Sequence, residues 1–467
     1  MLKKQFFSLP TYWIAILIFL AVPLFYFLFT DIDVFLPLIT LGVTAFPIGF
    51  SILKRRDILS PINIFCFLYG ISFGAVPFLQ QFDWIALDPA YTRHSPLFGR
   101  MAHFLGLAGI IFIFLGYYEG KIARAFCKIL PTLKRDVNFR RLKTFIIILF
   151  FISGVAFFLF IQFYEIKVSN FTEYFIYTNI SAFGRGHLAF FASFYLFAGF
   201  IALMGIFNPQ IKRRRFFIAA FFLAVFLAFL SRSRGQVLLL IFLFLVFYNY
   251  KVKKLHLIKI TSIFVLILLL IFLIAQFRGS LSFQATKQNI ANTFAGLFAE
   301  HQATATLLSE YYKEDTSHFY GKIFIEDTIL SLIPRRIWPT KPEQYGSIFI
   351  TNIIIPNRQP GFFYTIGPFG TAYADFGYMG IFIVMLFFGF VMRVVYDYFK
   401  KNKEHSGMLL WYGIFCFNLW AFMRGGWGFM PIILENTIIV VILYSLITNR
   451  FILKSAIVKK NKCDIIM

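Results

Sequence analysis

Two adjacent arginines, Arg335 and Arg336, precede Trp338 within the stretch Ile333 to Pro342, Ile-Pro-Arg-Arg-Ile-Trp-Pro-Thr-Lys-Pro. Its three prolines, Pro334, Pro339 and Pro342, forbid a continuous helix. Guanidinium groups match the oxygens of phosphate or carboxylate in a planar, two-bond geometry. Trp338 adds an aromatic face. More arginines stand in short turns: Arg232 and Arg234 in Ser231-Arg-Ser-Arg-Gly235, and Arg424 in Phe422-Met-Arg-Gly-Gly-Trp427, where the paired glycines let a substrate approach the backbone. Arg278 opens the polar stretch that contains Arg335 and Arg336. Such a set could hold a diphosphate and neutralise its charge as it leaves. The general-base candidates are Glu300, His301, Asp327, Asp375 and Glu435. Each also has a plainer reading: a Pro-rich surface turn, an arginine snorkelling to the interface, or an acid held in an ion pair. The seven histidines have no ligand-like spacing, so a metal site is not expected, and no cofactor is implied.

The elements that must position these groups are membrane helices. Of the 467 residues 59% are hydrophobic, and the mean hydropathy is +0.76. Only 14% are charged, against about 25% in an ordinary soluble chain. The expected fold is an all-α polytopic membrane protein with about twelve spans and one long outer, periplasmic loop. The predicted spans are 11–29, 34–53, 61–80, 100–118, 144–164, 187–206, 216–231, 235–250, 260–277, 369–392, 408–423 and 429–449. The first reads as a retained helix and not as a cleaved leader. Four parts follow: helices one to nine in 1–277, the long outer loop 278–368 with part of the site, helices ten to twelve in 369–450, and a basic tail at 451–467. The four cysteines suggest no disulfide framework.

Lys and Arg set the orientation. Alternate loops place 30 of the 45 basic residues on the side of the N-terminus, against 15 on the other, so the first side is cytoplasmic and both termini lie there. Six of the 21 acids share that side, so it carries the whole formal charge of +24. The charge is thus a topology signal and an attraction to anionic headgroups, and nucleic acid is not needed as a partner. Lysine dominates inside, but ten of the 15 outer cations are arginine, the residue suited to holding phosphate in fixed geometry. Asp375 and Glu435 each fall about six residues inside the outer end of a helix, roughly 9 Å deep, where an acid faces a cavity or pairs with a cation such as Arg424 or Arg278. Asp31-Ile-Asp33 reads as a two-acid outer turn.

Several of these pieces in this order resemble the bacterial O-antigen polymerase (Wzy-type) and oligosaccharide repeat unit polymerase family. They are the basic turn Ser231–Gly235, the long outer loop and the Ile333–Pro342 stretch. They continue with Ile366-Gly-Pro-Phe-Gly370 followed by Ala374-Asp-Phe-Gly-Tyr-Met-Gly380, and end in Met423-Arg-Gly-Gly426. The resemblance spans about residues 140–450. It implies a metal-independent membrane glycosyltransferase that polymerises undecaprenyl-diphosphate-linked oligosaccharide repeats at the outer face of the cytoplasmic (inner) membrane. Arg232, Arg234, Arg335, Arg336 and Arg424 are the positions matching outer-loop arginines of the family. A chain-length regulator and a flippase are the partners it suggests. A ligase moving finished glycan to another acceptor is the nearest enzymatic alternative. A flippase or exporter of lipid-linked glycan is the alternative of another class, but the chain shows no internal repeat.

Overall fold

The computed structural model describes residues 32–54, 57–85, 94–129, 139–163, 188, 190–231, 234–255, 296, 298–314, 317–330, 333, 337–338, 366–426 and 430–447. Among them all regular structure is helical. In chain order the helices are α1 Ile32–Leu53, α2 Pro61–Gln81, α3 Pro96–Tyr118, α4 Gly120–Ile129, α5 Phe139–Phe163, α6 Tyr195–Ile206, α7 Arg215–Leu230, α8 Arg234–Lys251, α9 Glu300–Glu314, α10 Gly367–Asn402, α11 Ser406–Gly425 and α12 Met430–Ile447. Two spans start alike. Ser60 and Ser95 are extended and each is followed by a proline at the first helical position, where the missing N–H costs nothing.

Six helices among the described residues are long and apolar enough to cross a membrane. They fall on the expected spans 34–53, 61–80, 100–118, 144–164, 369–392 and 408–423. Shorter apolar helices lie at Phe190–Ile206, Arg215–Leu230, Gly235–Lys251 and Thr437–Leu446, over four more of the expected spans. The expected spans 11–29 and 260–277 and the tail from 451 lie outside the described residues.

The chain forms two compact units. One comprises Met1–Ile129, Gln284–Tyr398 and Asn418–Leu434; the other comprises Leu130–Phe283, Phe399–Phe417 and Glu435–Met467. In the second, small residues bring helices close: Gly199 meets Leu240 and Ala224, and Gly413 meets Leu243. Phe399 and Tyr412 stack at 3.7 Å. The Tyr195 hydroxyl bonds to Ser231 Oγ and to Gln236, which ties down both ends of the basic turn.

The first unit holds most of the candidate acids. Gly109 and Gly116 of α3 receive Phe369 and the Leu386 backbone of α10. Helix α10 is not one straight span. Gly377 has φ +65° and ψ −153°, a conformation open to glycine alone, and divides it into two arms. A Cβ on Gly380 would lie 2.6 Å from the Ala372 carbonyl oxygen, although eight residues of straight helix span about 12 Å. Phe369 and Ile381, one from each arm, both meet Gly109. The arms therefore bend sharply back on one another.

The consequence is depth. Gly109 stands thirteen residues from the start of α3, about 20 Å along its axis. The beginning of α10, which contacts it, therefore reaches mid-length of a spanning helix. Helix α9 lies alongside: the Thr304 hydroxyl donates to Ile366 O at 3.3 Å, and Glu300 packs on Gly367. The described parts of 278–368 are thus not all surface loop, as their polarity suggested. Phe298, Ala299 and residues 300–309 are buried, and Phe298 packs with Val76 and Ile85. Polar backbone at such depth is tolerated where protein surrounds it.

Candidate functional site

Glu300 opens helix α9, where the helix dipole favours a negative charge. It is nevertheless only 1% exposed, and neither carboxylate oxygen has a hydrogen-bond partner. Ser72 lies beside it on α2, in the π-helical turn Ile71–Ala75. Such a turn inserts an extra residue into a helix and often marks a functional site. Arg424 faces Glu300 from the last turn of α11, with Nε 4.0 Å from Oε1, and that Nε makes no hydrogen bond. Burial pushes the Glu300 carboxyl up to about 7, outweighing the Arg424 charge, Ser72 and the helix backbone N–H, which all favour the ionised form. A carboxyl poised near neutrality is what proton abstraction at physiological pH requires. The sequence offers Arg424 as a substrate-binding group and one possible partner of Asp375 or Glu435; in the structure it faces Glu300, 124 residues away in sequence.

His301 is buried next to it. Its Nε2 donates to the Gly99 carbonyl at 3.0 Å, which leaves Nδ1 as an unpartnered acceptor. Its ring lies 3.8 Å from that of His103 and meets Phe73 edge-on. Burial drives its pKa down to about 3, so it is neutral at physiological pH. This arrangement suits a packing group that orients the start of α9. Gln302 bonds Gln80 at the end of α2 and fixes the same turn.

The turn after Arg424 is built against α10. Gly426 has φ +55°, and a Cβ there would strike the Thr371 hydroxyl and come within 3.0 Å of Gly367 O. Gly426 thus admits the chain's own backbone, and Thr371 Oγ donates to Gly367 O at 3.0 Å to complete the seam.

Asp375 is fully buried at the bend of α10, and its partners are not arginines. Oδ1 accepts from the Ile323 N–H at 3.0 Å and Oδ2 from the Phe324 N–H at 2.8 Å. It caps the short helix Lys322–Phe324, and Tyr320 N–H returns to Asp375 O at 2.7 Å. Asp327 is buried in the π-helical turn Ile325–Ile329 that follows. Trp338 is half-buried. Arg232, Arg278, Arg335 and Arg336 lie outside the described residues; Arg234 and Glu435 stand on α8 and α12 by backbone alone. Asp33 forms a two-bond ion pair with Arg100, at 2.7 and 2.8 Å. The structure thus brings Glu300, His301 and Arg424 together and gives Asp375 a capping role.

Ser72, His103 and Thr304 were not anticipated. Ser72 lies between Gly70 and Gly74 in an apolar span, and a polar residue so placed was the available signal.

A family model described as O-antigen polysaccharide polymerase Wzy matches residues 11–455. The O-antigen polymerase of Salmonella typhimurium (strain LT2) is 27% identical over 137 residues, and that of Salmonella typhi is equally similar. Each match covers 28% of this chain and 30% of the relative. No solved structure matches the chain.

Proposed function

We propose, from the premise that this chain belongs to the O-antigen polysaccharide polymerase Wzy family, that it polymerises undecaprenyl-diphosphate-linked oligosaccharide repeats at the outer face of the cytoplasmic membrane. The observation that carries the mechanism is the buried Glu300 carboxylate with Arg424 Nε 4.0 Å away. In the reaction an acceptor hydroxyl on the incoming repeat attacks the anomeric carbon of the growing glycan. The bond from that carbon to the diphosphate oxygen breaks, and undecaprenyl diphosphate leaves with the bonding pair. Glu300 takes the hydroxyl proton, and Arg424 faces the charge that develops on the departing diphosphate. Arg232, Arg234, Arg278, Arg335 and Arg336 stay the sequence's further candidates for holding phosphate, and Trp338 offers a sugar face. His301 stays neutral and holds α9 in register. Asp375 caps the segment packed at the bend of α10, Asp327 lies buried in the turn that follows that segment, and Glu435 remains a second candidate acid. No step requires a metal.

The test is reconstitution. Purified protein in bilayer discs, given lipid-linked repeats without nucleotide sugar or ion gradient, should lengthen the glycan on its lipid. Transfer only to an added lipid A core acceptor would favour a ligase. Movement of the lipid across a vesicle bilayer without lengthening would favour a flippase; either result would overturn the polymerase reading.

A further inference from the structure

Beyond the Glu300 site, a second group of unsatisfied polar atoms surrounds the bend of α10. Tyr311, near the end of α9, is 5% exposed, and its hydroxyl is buried without a partner. His318 stacks on its ring at 5.8 Å and 21°, with Nδ1 also buried and unpartnered. Tyr373 meets both rings edge-on, at 5.7 and 5.3 Å. Tyr378 meets Tyr373 at 5.2 Å and is 45% exposed, so the cluster opens to the surface there. Oε2 of Glu326, on the segment capped by Asp375, is a third unpartnered polar atom. Tyr320 stands beside Asp375, 79% exposed, at φ +51°, an uncommon conformation for a side chain of that size.

We propose that this cluster is a sugar subsite that takes one pyranose ring of the oligosaccharide repeat, distant from the reacting bond. Aromatic faces offer a flat apolar surface to the C–H face of a sugar, and a few convergent polar groups set its orientation. Tyrosines of an interfacial belt direct their hydroxyls to water. Here the Tyr311 hydroxyl and His318 Nδ1 are turned inward and unsatisfied, which in a folded protein calls for a water or ligand partner. Distance fits an oligosaccharide. Tyr311 lies eleven residues along α9 from Glu300, about 16 Å by helical rise. That exceeds a single sugar ring and suits a substrate several rings long. The first arm of α10 joins the sites, because it begins against Glu300 and ends at the bend beside Tyr378.

The proposal rests on the polymerase reading for its ligand, and the experiment keeps the two apart. The probe is the lipid-free repeat oligosaccharide released by mild acid from the lipid-linked pool, titrated into full-length protein in bilayer discs and followed by saturation-transfer NMR. Tyr378→Ala and His318→Ala should each weaken binding about tenfold, and Tyr378→Phe should retain it. In the polymerisation assay Tyr378→Ala should raise KM for the lipid-linked repeat by a similar factor and shorten the product, with kcat within about threefold. Unchanged binding in both alanine variants, with wild-type polymer length, would mean an interfacial aromatic belt and would overturn the subsite. Loss of kcat at unchanged KM would overturn it too. If the wild-type protein binds the oligosaccharide with this dependence but makes no polymer, the polymerase reading fails and the subsite stands.

Discussion

Replacing Glu300 by glutamine separates its two physical roles. Glutamine keeps the shape and one carbonyl acceptor but cannot take a proton. A positioned general base contributes about 10²- to 10⁴-fold in rate, or roughly 3–5 kcal/mol of barrier. Glu300→Gln should therefore lose about that factor in polymerisation at saturating substrate, with normal protein in the membrane. The wild-type rate should also carry the titration. With the carboxyl pushed up to about 7, about a tenth is ionised at pH 6 and about nine-tenths at pH 8. The rate should rise about ninefold over that interval, and the residual rate of the glutamine variant should not.

Stability should move the other way. The folded-state pKa lies above the unfolded value near 4.5. The folded protein thus binds more protons between those values, and this contribution is fully present below pH 4.5 and lost as pH rises through about 7. The gap corresponds to roughly 3 kcal/mol at most that wild type forgoes at pH 8. Glu300→Gln should match or exceed wild type in thermal midpoint at pH 8, with the margin shrinking toward pH 5. The alternative is that Glu300 exists to neutralise Arg424. Glutamine would then strand a cation and destabilise the protein at pH 8. Activity within threefold of wild type, or a lower thermal midpoint at pH 8, would refute the base assignment.

Arg424→Lys keeps the charge but loses the planar two-bond fork, so polymerisation should fall about 30- to 1000-fold, while Arg213→Ala and Arg214→Ala, exposed ahead of α7, should leave it intact; full polymer length from Arg424→Ala would remove this arginine from the clamp. Asp375→Ala strips two backbone N–H groups of their acceptor and should destabilise by about 1–3 kcal/mol, with specific activity of the folded fraction retained; the same activity loss as Glu300→Gln would instead place Asp375 in the chemistry. Gly377→Ala forces a side chain into a glycine-only conformation beside His318, whose Nε2 would lie 2.9 Å from the new Cβ, and should cost about 1–3 kcal/mol in thermal or detergent stability; wild-type stability would argue against the bend. Ser317→Cys, in a variant lacking the four native cysteines, should label in intact cells with an impermeant reagent, and labelling only after membrane disruption would reverse the topology.

The sequence exposed the spans because length and apolarity suffice for them, and six fell where expected. It also contained Glu300 in its pool of acids. It did not reveal the partner, because Arg424 meets Glu300 through packing across α11 and α9 that local patterns do not encode. The bend at Gly377 was hidden for another reason. The apolar run continues from Phe369 past Ile381, and one glycine among Gly370, Gly377 and Gly380 carries no mark of a positive φ. Asp375 was legible as a buried acid needing a partner. An arginine was the natural expectation for that partner, since a backbone N-terminus contributed by a neighbouring segment has no residue-type signature.

Burial of the base has a chemical reason. On the proposed mechanism the donor is an activated glycosyl diphosphate, and water competes with the acceptor hydroxyl for its anomeric carbon. A loop acid in open solvent would activate water as readily as sugar. Packing α9 against the first turns of α3, where His301 meets Gly99 and His103, and against Gly367 of α10 leaves Glu300 nearly sealed from solvent. Exclusion of water protects the growing chain from hydrolysis and strengthens the Arg424 charge at the same centre. The cost is a carboxylate whose ionisation opposes folding above about pH 7. An acceptor sugar entering with its hydroxyl toward Glu300 would donate a hydrogen bond to the carboxylate. Ionisation should accordingly become easier in the occupied site, so the pKa governing kcat should lie below the one governing kcat/KM.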